Sequence, residues 1–152
     1  MTTECSLLCS EILRARGTGR VVCGELSESS FSVSRLAGRF DLDSDPANYR
    51  ACSTREALFI AVRVISHHLV DDGPLVPLDR SESLAADFLS RFPPLGTSFF
   101  TNGEFSFIGS CSYLKKWRQV TPERSSSGLL VLADPLAGVL WVADKSPRES
   151  AA

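Results

Sequence analysis

The stretch Gly128-Leu-Leu-Val-Leu-Ala-Asp-Pro-Leu-Ala-Gly-Val-Leu-Trp-Val-Ala-Asp144 decides how this chain is read. Leu129–Ala133 and Val139–Ala143 are apolar runs of strand length, and Asp134-Pro-Leu-Ala-Gly138 between them holds proline and glycine at turn-compatible places. Two strands joined by a turn are the expectation. Upstream, Thr97-Ser-Phe-Phe-Thr and Glu104-Phe-Ser-Phe-Ile flank Asn102-Gly103. Both central positions of a type I′ turn need positive φ, so Asn-Gly between aromatic runs predicts a second hairpin.

Working outward, Ser81 to Phe92 sets Leu84, Ala85, Phe88, Leu89 and Phe92 on one helical face, closed by Pro93-Pro94. Ser53-Thr-Arg-Glu56 fits the capping box, in which the Ser hydroxyl and the Glu carboxylate each satisfy an orphan amide at a helix start. That helix is expected to run to about Val70, with Leu58, Ala61, Val62, Ile65 and Leu69 as its stripe, until Gly73 and two prolines stop it. Residues 3–16 place Cys5, Leu8, Cys9, Ile12 and Leu13 on another stripe, with Thr2 or Thr3 as N-cap and Gly17 as the stop. Arg20–Leu26 and Ser30–Leu36, joined by the polar turn Ser27-Glu-Ser-Ser, read as a hairpin because Phe31 and Val33 alternate with serines. Asp41–Tyr49 is acidic and turn-forming, hence a loop and the best place for a boundary. Tyr113–Arg118 reads as a short helix or turn, and Glu123–Ser127 as a serine-rich loop.

Helices and hairpins in clusters, without βαβ alternation, predict an α+β fold: a mainly antiparallel sheet of hairpins packed with amphipathic helices on one face. The expected organisation is a single domain over 1–152, with an N-terminal subregion 1–50 and a disordered tail 146–152. A chain of 152 residues can bury roughly 68–70% of its unfolded surface in one core. Its 43% hydrophobic and 22% charged residues place it among soluble globular chains.

A net charge of −2 supplies no global field to draw the protein onto nucleic acid or anionic lipid, so such binding would need a local patch. The longest apolar run, Ala57–Ile65, is broken at Arg63 and too short to span a bilayer. No membrane association is expected. Five cysteines, at 5, 9, 23, 52 and 111, form an odd set that suits a reducing compartment, which makes the expected location cytoplasmic.

Candidate chemistry is sparse. His67 and His68 are adjacent, so on a helix they point about 100° apart and cannot be two ligands on one face. Cys5 and Cys9 share a face and could join them at zinc, but both also lie on the apolar stripe, where free Cys packs as a small hydrophobe. Cys111 or Cys52 with one of the histidines as base would be a cysteine nucleophile pair, yet no local signature accompanies them. Gly17-Thr-Gly19 precedes a strand where a dinucleotide fingerprint must follow one, and reads as a helix stop. The expectation is no catalytic residue, no metal and no cofactor.

The stretch with binding character is Tyr113-Leu-Lys-Lys-Trp-Arg118. Trp, Tyr and Arg supply large area and directed hydrogen bonds at interface hot spots, and basic–aromatic mixtures also suit stacking on bases. The bland alternative packs Leu114 and Trp117 on the core and leaves the cations solvated. Tyr113, Lys115, Lys116, Trp117 and Arg118 are the candidate partner-binding residues, for a protein in preference to nucleic acid.

Taken as a unit, Ser81–Asp144 runs from the helix end Phe-Leu-Ser-Arg-Phe-Pro-Pro-Leu-Gly through aromatic strands to Leu129-Leu-Val-Leu-Ala-Asp and Gly138-Val-Leu-Trp-Val-Ala-Asp. This resembles the core of the SUKH superfamily, whose members carry a Phe-Leu…Gly-Leu-Pro helix end and close on a Leu-Val-Leu…Asp…Gly-x-Val-Tyr hairpin. The resemblance implies an α+β fold without catalysis, most often a bacterial immunity protein that binds and neutralises a toxin of the same cell, with relatives in DNA viruses. The expected function is therefore a non-catalytic antagonist that occludes a protein partner, possible toxins included. The alternatives are a cysteine-dependent enzyme and a viral or effector nucleic-acid-binding protein. The oligomeric state is left open.

Overall fold

Residues 125–144 form the centre of the fold, as a long antiparallel hairpin. The structure, a computed structural model, describes the backbone of residues 2–4, 6–27, 32–108 and 111–146, and the side chains of 7–27, 32–106 and 114–146. In chain order the elements are β1 (Thr2–Glu4), α1 (Ser6–Arg16), β2 (Arg20–Ser27), α2 (Val33–Arg39), a 3-10 turn (Pro46–Asn48), β3 (Arg50–Cys52), α3 (Thr54–Ser66), α4 (Leu78–Leu89), β4 (Ser98–Thr101), β5 (Gly103–Ile108), β6 (Cys111–Trp117), β7 (Ser125–Ala133) and β8 (Leu136–Asp144). Six strands pair antiparallel in the order β1-β2-β8-β7-β4-β3, and β5 and β6 form a separate two-stranded sheet. The fold is α+β with a mainly antiparallel sheet.

β7 and β8 are central and buried on both sides, which is why they read as unbroken apolar runs. Leu129, Val131, Leu140 and Val142 point to the side covered by α1, α3 and α4, where they meet Leu8, Ile12, Ile60, Val64, Leu84 and Phe88. The alternate residues Leu130, Val139 and Trp141 point to the other side, against Leu36 and Ala37 of α2 and against Leu42 and Val120. Helices on one face only is thus corrected: the period of two puts apolar side chains on both faces, and both need a cover. The β7–β8 turn is shorter than expected, a two-residue connection at Asp134–Pro135 whose peptide bond is cis, with Ala133 opposite Leu136.

α3 starts as its capping box requires: Ser53 Oγ accepts from Glu56 N at 3.1 Å, and Glu56 Oε1 accepts from Ser53 N at 3.1 Å. It ends at Ser66, four residues earlier than expected, because His67 turns extended and bridges to Pro74. Its buried stripe is Ala57, Ile60, Ala61, Val64 and Ile65, while Leu58 is 42% exposed. α4 begins at Leu78 on Pro77 and buries Ser81, Leu84, Ala85 and Phe88. The buried Ser81 hydroxyl is satisfied by Pro77 O at 3.0 Å. α1 is shorter than 3–16, since Thr2 and Thr3 pair with Leu26 and Glu25 as a strand; Gly17 stops it at φ 73°, donating to Leu13 O at 2.9 Å.

Four further expectations are corrected. Residues 33–39 are helical, capped by Ser32, whose side chain accepts from Arg35 N. Val33, Leu36, Ala37 and Phe40 have helical spacing and all join the second core; the two-residue alternation at 31–33 is weaker than that, and residue 31 lies outside the described residues. β2 therefore pairs with β8 and β1, not with the segment that follows it. Asn102-Gly103 is not a hairpin turn either: β4 pairs with β3 and β7, and β5 with β6. Residues 113–117 belong to strand β6, and Ser125–Ser127 to β7. The tail beyond residue 146 lies outside the described residues.

Candidate functional site

Asn102 is the pivot at which the chain leaves the large sheet for the small one. Its Nδ2 donates to Arg118 O and Ser126 O, each at 2.8 Å, its Oδ1 accepts from Ser127 Oγ at 2.8 Å, and its own carbonyl accepts from Arg118 N at 2.9 Å. A buried amide with all these partners is held where it is, since each would be costly to leave unpaired. Gly103 is required by space, not by φ: a Cβ there would lie 2.6 Å from Leu114 Cδ1 and 2.8 Å from Lys116 O. The pair thus clamps the root of the β5–β6 hairpin to β7.

Beside this root lies an open groove of about 780 Å³, walled on one side by Ala47, Asn48, Tyr49 and Arg50 and on the other by Glu104, Lys116, Trp117 and Arg118. Its Arg50, Lys116 and Arg118 outnumber its one acid, Glu104. Arg50 is already engaged, donating through Nε to Gly103 O at 2.7 Å and lying 3.6 Å from Glu56. Tyr49 donates its hydroxyl to Asp43 O at 2.6 Å and meets the buried Trp141 edge-on. Burial pushes the Tyr49 hydroxyl well above its usual range, so the ring enters any encounter neutral.

The candidate binding residues fall on one strand and its exit. Glu104 pairs with Lys116 and Phe105 with Leu114, so Lys115 is the extra residue of a β-bulge. Leu114 turns into the core on the α3 side, while Lys115, Lys116, Trp117 and Arg118 are exposed. Trp117 is 36% exposed, with its indole Nε1 donating to Arg124 O at 2.6 Å, so its ring is held rather than loose. Lys115, Lys116 and Arg118 have no side-chain hydrogen bond or ion pair among the described residues. Tyr113 is in β6, opposite Ser106; its side chain lies outside those described.

Among the described residues the other candidates are not brought together. Cys52 precedes α3 and His67 follows it, so about 13 residues of helix, roughly 20 Å, separate them. Burial raises the Cys52 thiol to about 11, helped by Glu56, which keeps it from being a thiolate at neutral pH. Cys111 lies in β6, its side chain outside those described. Cys9 faces Val21 O at 3.4 Å, and Cys5 lies outside the described residues. His67 shares a 2.7 Å hydrogen bond with Ser66 Oγ, and burial, then Arg63, lowers its pKa. Among the described residues no cluster of three or more His, Cys, Asp or Glu could hold a metal ion.

What sequence reasoning missed is the buried ion pair Arg16–Asp144, with both side chains 0% exposed. All five guanidinium donors are used: Nε to Val64 O, Nη1 to Thr18 O and Asp144 Oδ1, Nη2 to His67 O and Asp144 Oδ2, at 2.8–3.1 Å. Leu69 N adds a third bond to the carboxylate at 3.0 Å. A Cβ on Gly19 would collide with Asp144 Oδ1, which is why this turn is glycine. The signal was available: Arg16 continues the stripe Leu8–Ile12, and Asp144 continues Leu140–Val142, so opposite charges end two buried rows.

Compared with protein-family models, curated proteins and solved structures, the chain matches none. Among the described residues no helix is long and apolar enough to cross a membrane.

Proposed function

We propose that the protein is a non-catalytic binding protein of the immunity or antagonist type, acting in the cytoplasm and neutralising a protein partner, such as a toxin, by occluding its surface. The observation that carries the reading is the row Lys115, Lys116, Arg118 around Trp117: three cations without a partner among the described residues, beside an anchored, exposed indole at the edge of a groove. Unpaired surface charge speeds and orients encounter with a surface of opposite sign, while an aromatic anchor supplies the area that holds the complex. The same row is compatible with the SUKH-like expectation drawn from residues 81–144. The partner face is therefore acidic around an apolar notch.

The test uses the whole chain as bait in native extract, followed by purification of whatever protein is captured. The partner's activity should fall on adding wild-type protein, and Trp117→Ala should weaken the complex by ~2 kcal/mol or more, about thirtyfold. A triple Lys115→Glu/Lys116→Glu/Arg118→Glu variant that folds and still neutralises the partner fully would show the site to be elsewhere. Capture of nucleic acid in place of protein, lost at high salt, would move the row to the alternative reading.

A further inference from the structure

The groove beside the β5–β6 root holds two kinds of side chain that a small ligand can use together. Tyr49 and Trp117, on opposite walls, both direct their polar groups to main-chain carbonyls: the Tyr49 hydroxyl donates to Asp43 O and the Trp117 Nε1 to Arg124 O, each at 2.6 Å. What remains to each for a ligand is ring surface held in one place. A fixed aromatic ring is a platform on which a flat base stacks. Burial keeps the Tyr49 phenol neutral, so it sets no charge against an anion.

The cations are the second kind. Arg50 is aimed by its Nε bond to Gly103 O at 2.7 Å, and its Nη1 reaches Ala51 O at 3.4 Å and Glu56 at 3.6 Å; its Nη2 has no bond among the described residues. Lys116 and Arg118 have neither side-chain hydrogen bond nor ion pair there. Glu104 lies opposite Lys116 in the ladder and forms no ion pair with it among the described residues. Even with Glu56 set against Arg50, Lys116 and Arg118 outnumber Glu104, and an arginine fork suits phosphate oxygens. The volume of about 780 Å³ is within the ~300–1,000 Å³ usual for small-molecule sites. A net charge of −2 supplies no field along which a long polyanion would run. We infer that the groove binds a free nucleoside phosphate, its base against Trp117 and Tyr49 and its phosphate at Arg50, Lys116 and Arg118. This ligand is additional to the protein partner and shares Lys116, Trp117 and Arg118 with it. The purified chain tests it without the partner, so either reading can fail alone.

The full-length protein is titrated by calorimetry at low salt with adenosine monophosphate, uridine monophosphate, adenosine, inorganic phosphate and a single-stranded oligonucleotide. Trp117 gives a second readout, since the protein's other indole, Trp141, is buried. The expected result is saturable binding of one or both nucleotides with a change in Trp emission. Adenosine and inorganic phosphate should each bind about tenfold or more weakly, since each lacks one half of the contact. A Lys116→Gln/Arg118→Gln variant, at two exposed positions, should weaken nucleotide binding about tenfold, and Trp117→Ala about fivefold or more. Glu104→Gln should strengthen it, by removing the like charge from the wall. Inorganic phosphate binding as tightly as the nucleotides would overturn the inference in favour of a general anion site. An oligonucleotide binding more tightly than either nucleotide would overturn it in favour of a strand. Binding of neither nucleotide, or nucleotide binding unchanged in the folded Lys116→Gln/Arg118→Gln variant, would overturn it outright.

Discussion

Replacing Asp144 by Asn keeps the shape of the side chain at the end of β8 and removes its charge. In the native structure the carboxylate accepts from Arg16 Nη1 at 3.1 Å, Arg16 Nη2 at 2.8 Å and Leu69 N at 3.0 Å, with no part of either charged side chain exposed. The Asn NH2 would face guanidinium donors, and the buried cation would lose its counter-charge. Breaking a buried pair from one side typically costs about 3–5 kcal/mol, a large part of the ~5–15 kcal/mol that holds a domain together. At about 2–4 °C per kcal/mol for a chain of this size, the melting temperature should fall on the order of 10 °C. Arg16→Met should cost a similar amount, by stranding the carboxylate. The Arg16→Met/Asp144→Asn double variant strands neither charge, so it should lie about 2–3 kcal/mol above the sum of the singles. Urea unfolding of the four proteins, followed by circular dichroism, measures the cycle. A cost for Asp144→Asn below about 1 kcal/mol, or additivity within about 0.5 kcal/mol, would refute the claim that this pair ties α1, α3 and β8 together.

The remaining expectations are narrower. Glu123 is held down to about 2 by its two hydrogen bonds from Arg20, at 2.8 and 2.9 Å; a lowered folded pKa stabilises above the ordinary value of 4.5 and is lost as pH falls from there toward 2. Acid unfolding should therefore show a drop in that window that Glu123→Gln removes, and an unchanged profile would exclude the bond as its cause. Gly128→Ala would press a Cβ into Leu140 O and to 2.8 Å from Trp141 Cα, in the central hairpin where backbone cannot yield. Loss of more than about 3 kcal/mol is expected, and a thermal melt within a degree or two of wild type would contradict that packing. Cys52 should resist alkylation at neutral pH and gain reactivity only toward pH 11, by mass-spectrometric mapping of labelled peptides, whereas fast labelling at pH 7 would revive it as a nucleophile.

The signals that were read correctly in the sequence are short-range. The capping box at Ser53–Glu56, the stop at Gly17, the face of α4 and the two strands around Asp134–Pro135 each depend on residues within a few positions of one another. The row proposed to bind a partner stands out in the sequence as a basic–aromatic cluster, although its strand does not. A strand with a bulge and a helical turn both set Leu114 inward and its neighbours outward, so composition alone does not separate them. The other wall of the groove does not stand out: Tyr49 ends the acidic stretch that reads as a loop, and Arg50 just beyond it carries no local signal.

Local chemistry permits a turn or a strand, but it does not choose the partner. Asn-Gly at 102–103 suits a type I′ turn, yet the amide finds Arg118, Ser126 and Ser127 in the folded chain, and these buried hydrogen bonds outweigh a turn preference. Residues 33–37 fit either period until the second face of the sheet needs a cover, and then the helical one wins. The sequence by itself determined which segments are apolar, where helices begin and stop, and that helices and antiparallel strands share the chain. Only the tertiary structure decided that β2 lies against β8, that Asp144 meets Arg16 from 128 residues away, and that Lys116, Trp117 and Arg118 face Tyr49 and Arg50 across one groove. The reason is physical: strand pairing and buried charge are satisfied by groups distant along the chain, and a local pattern contains no information about which of them will arrive.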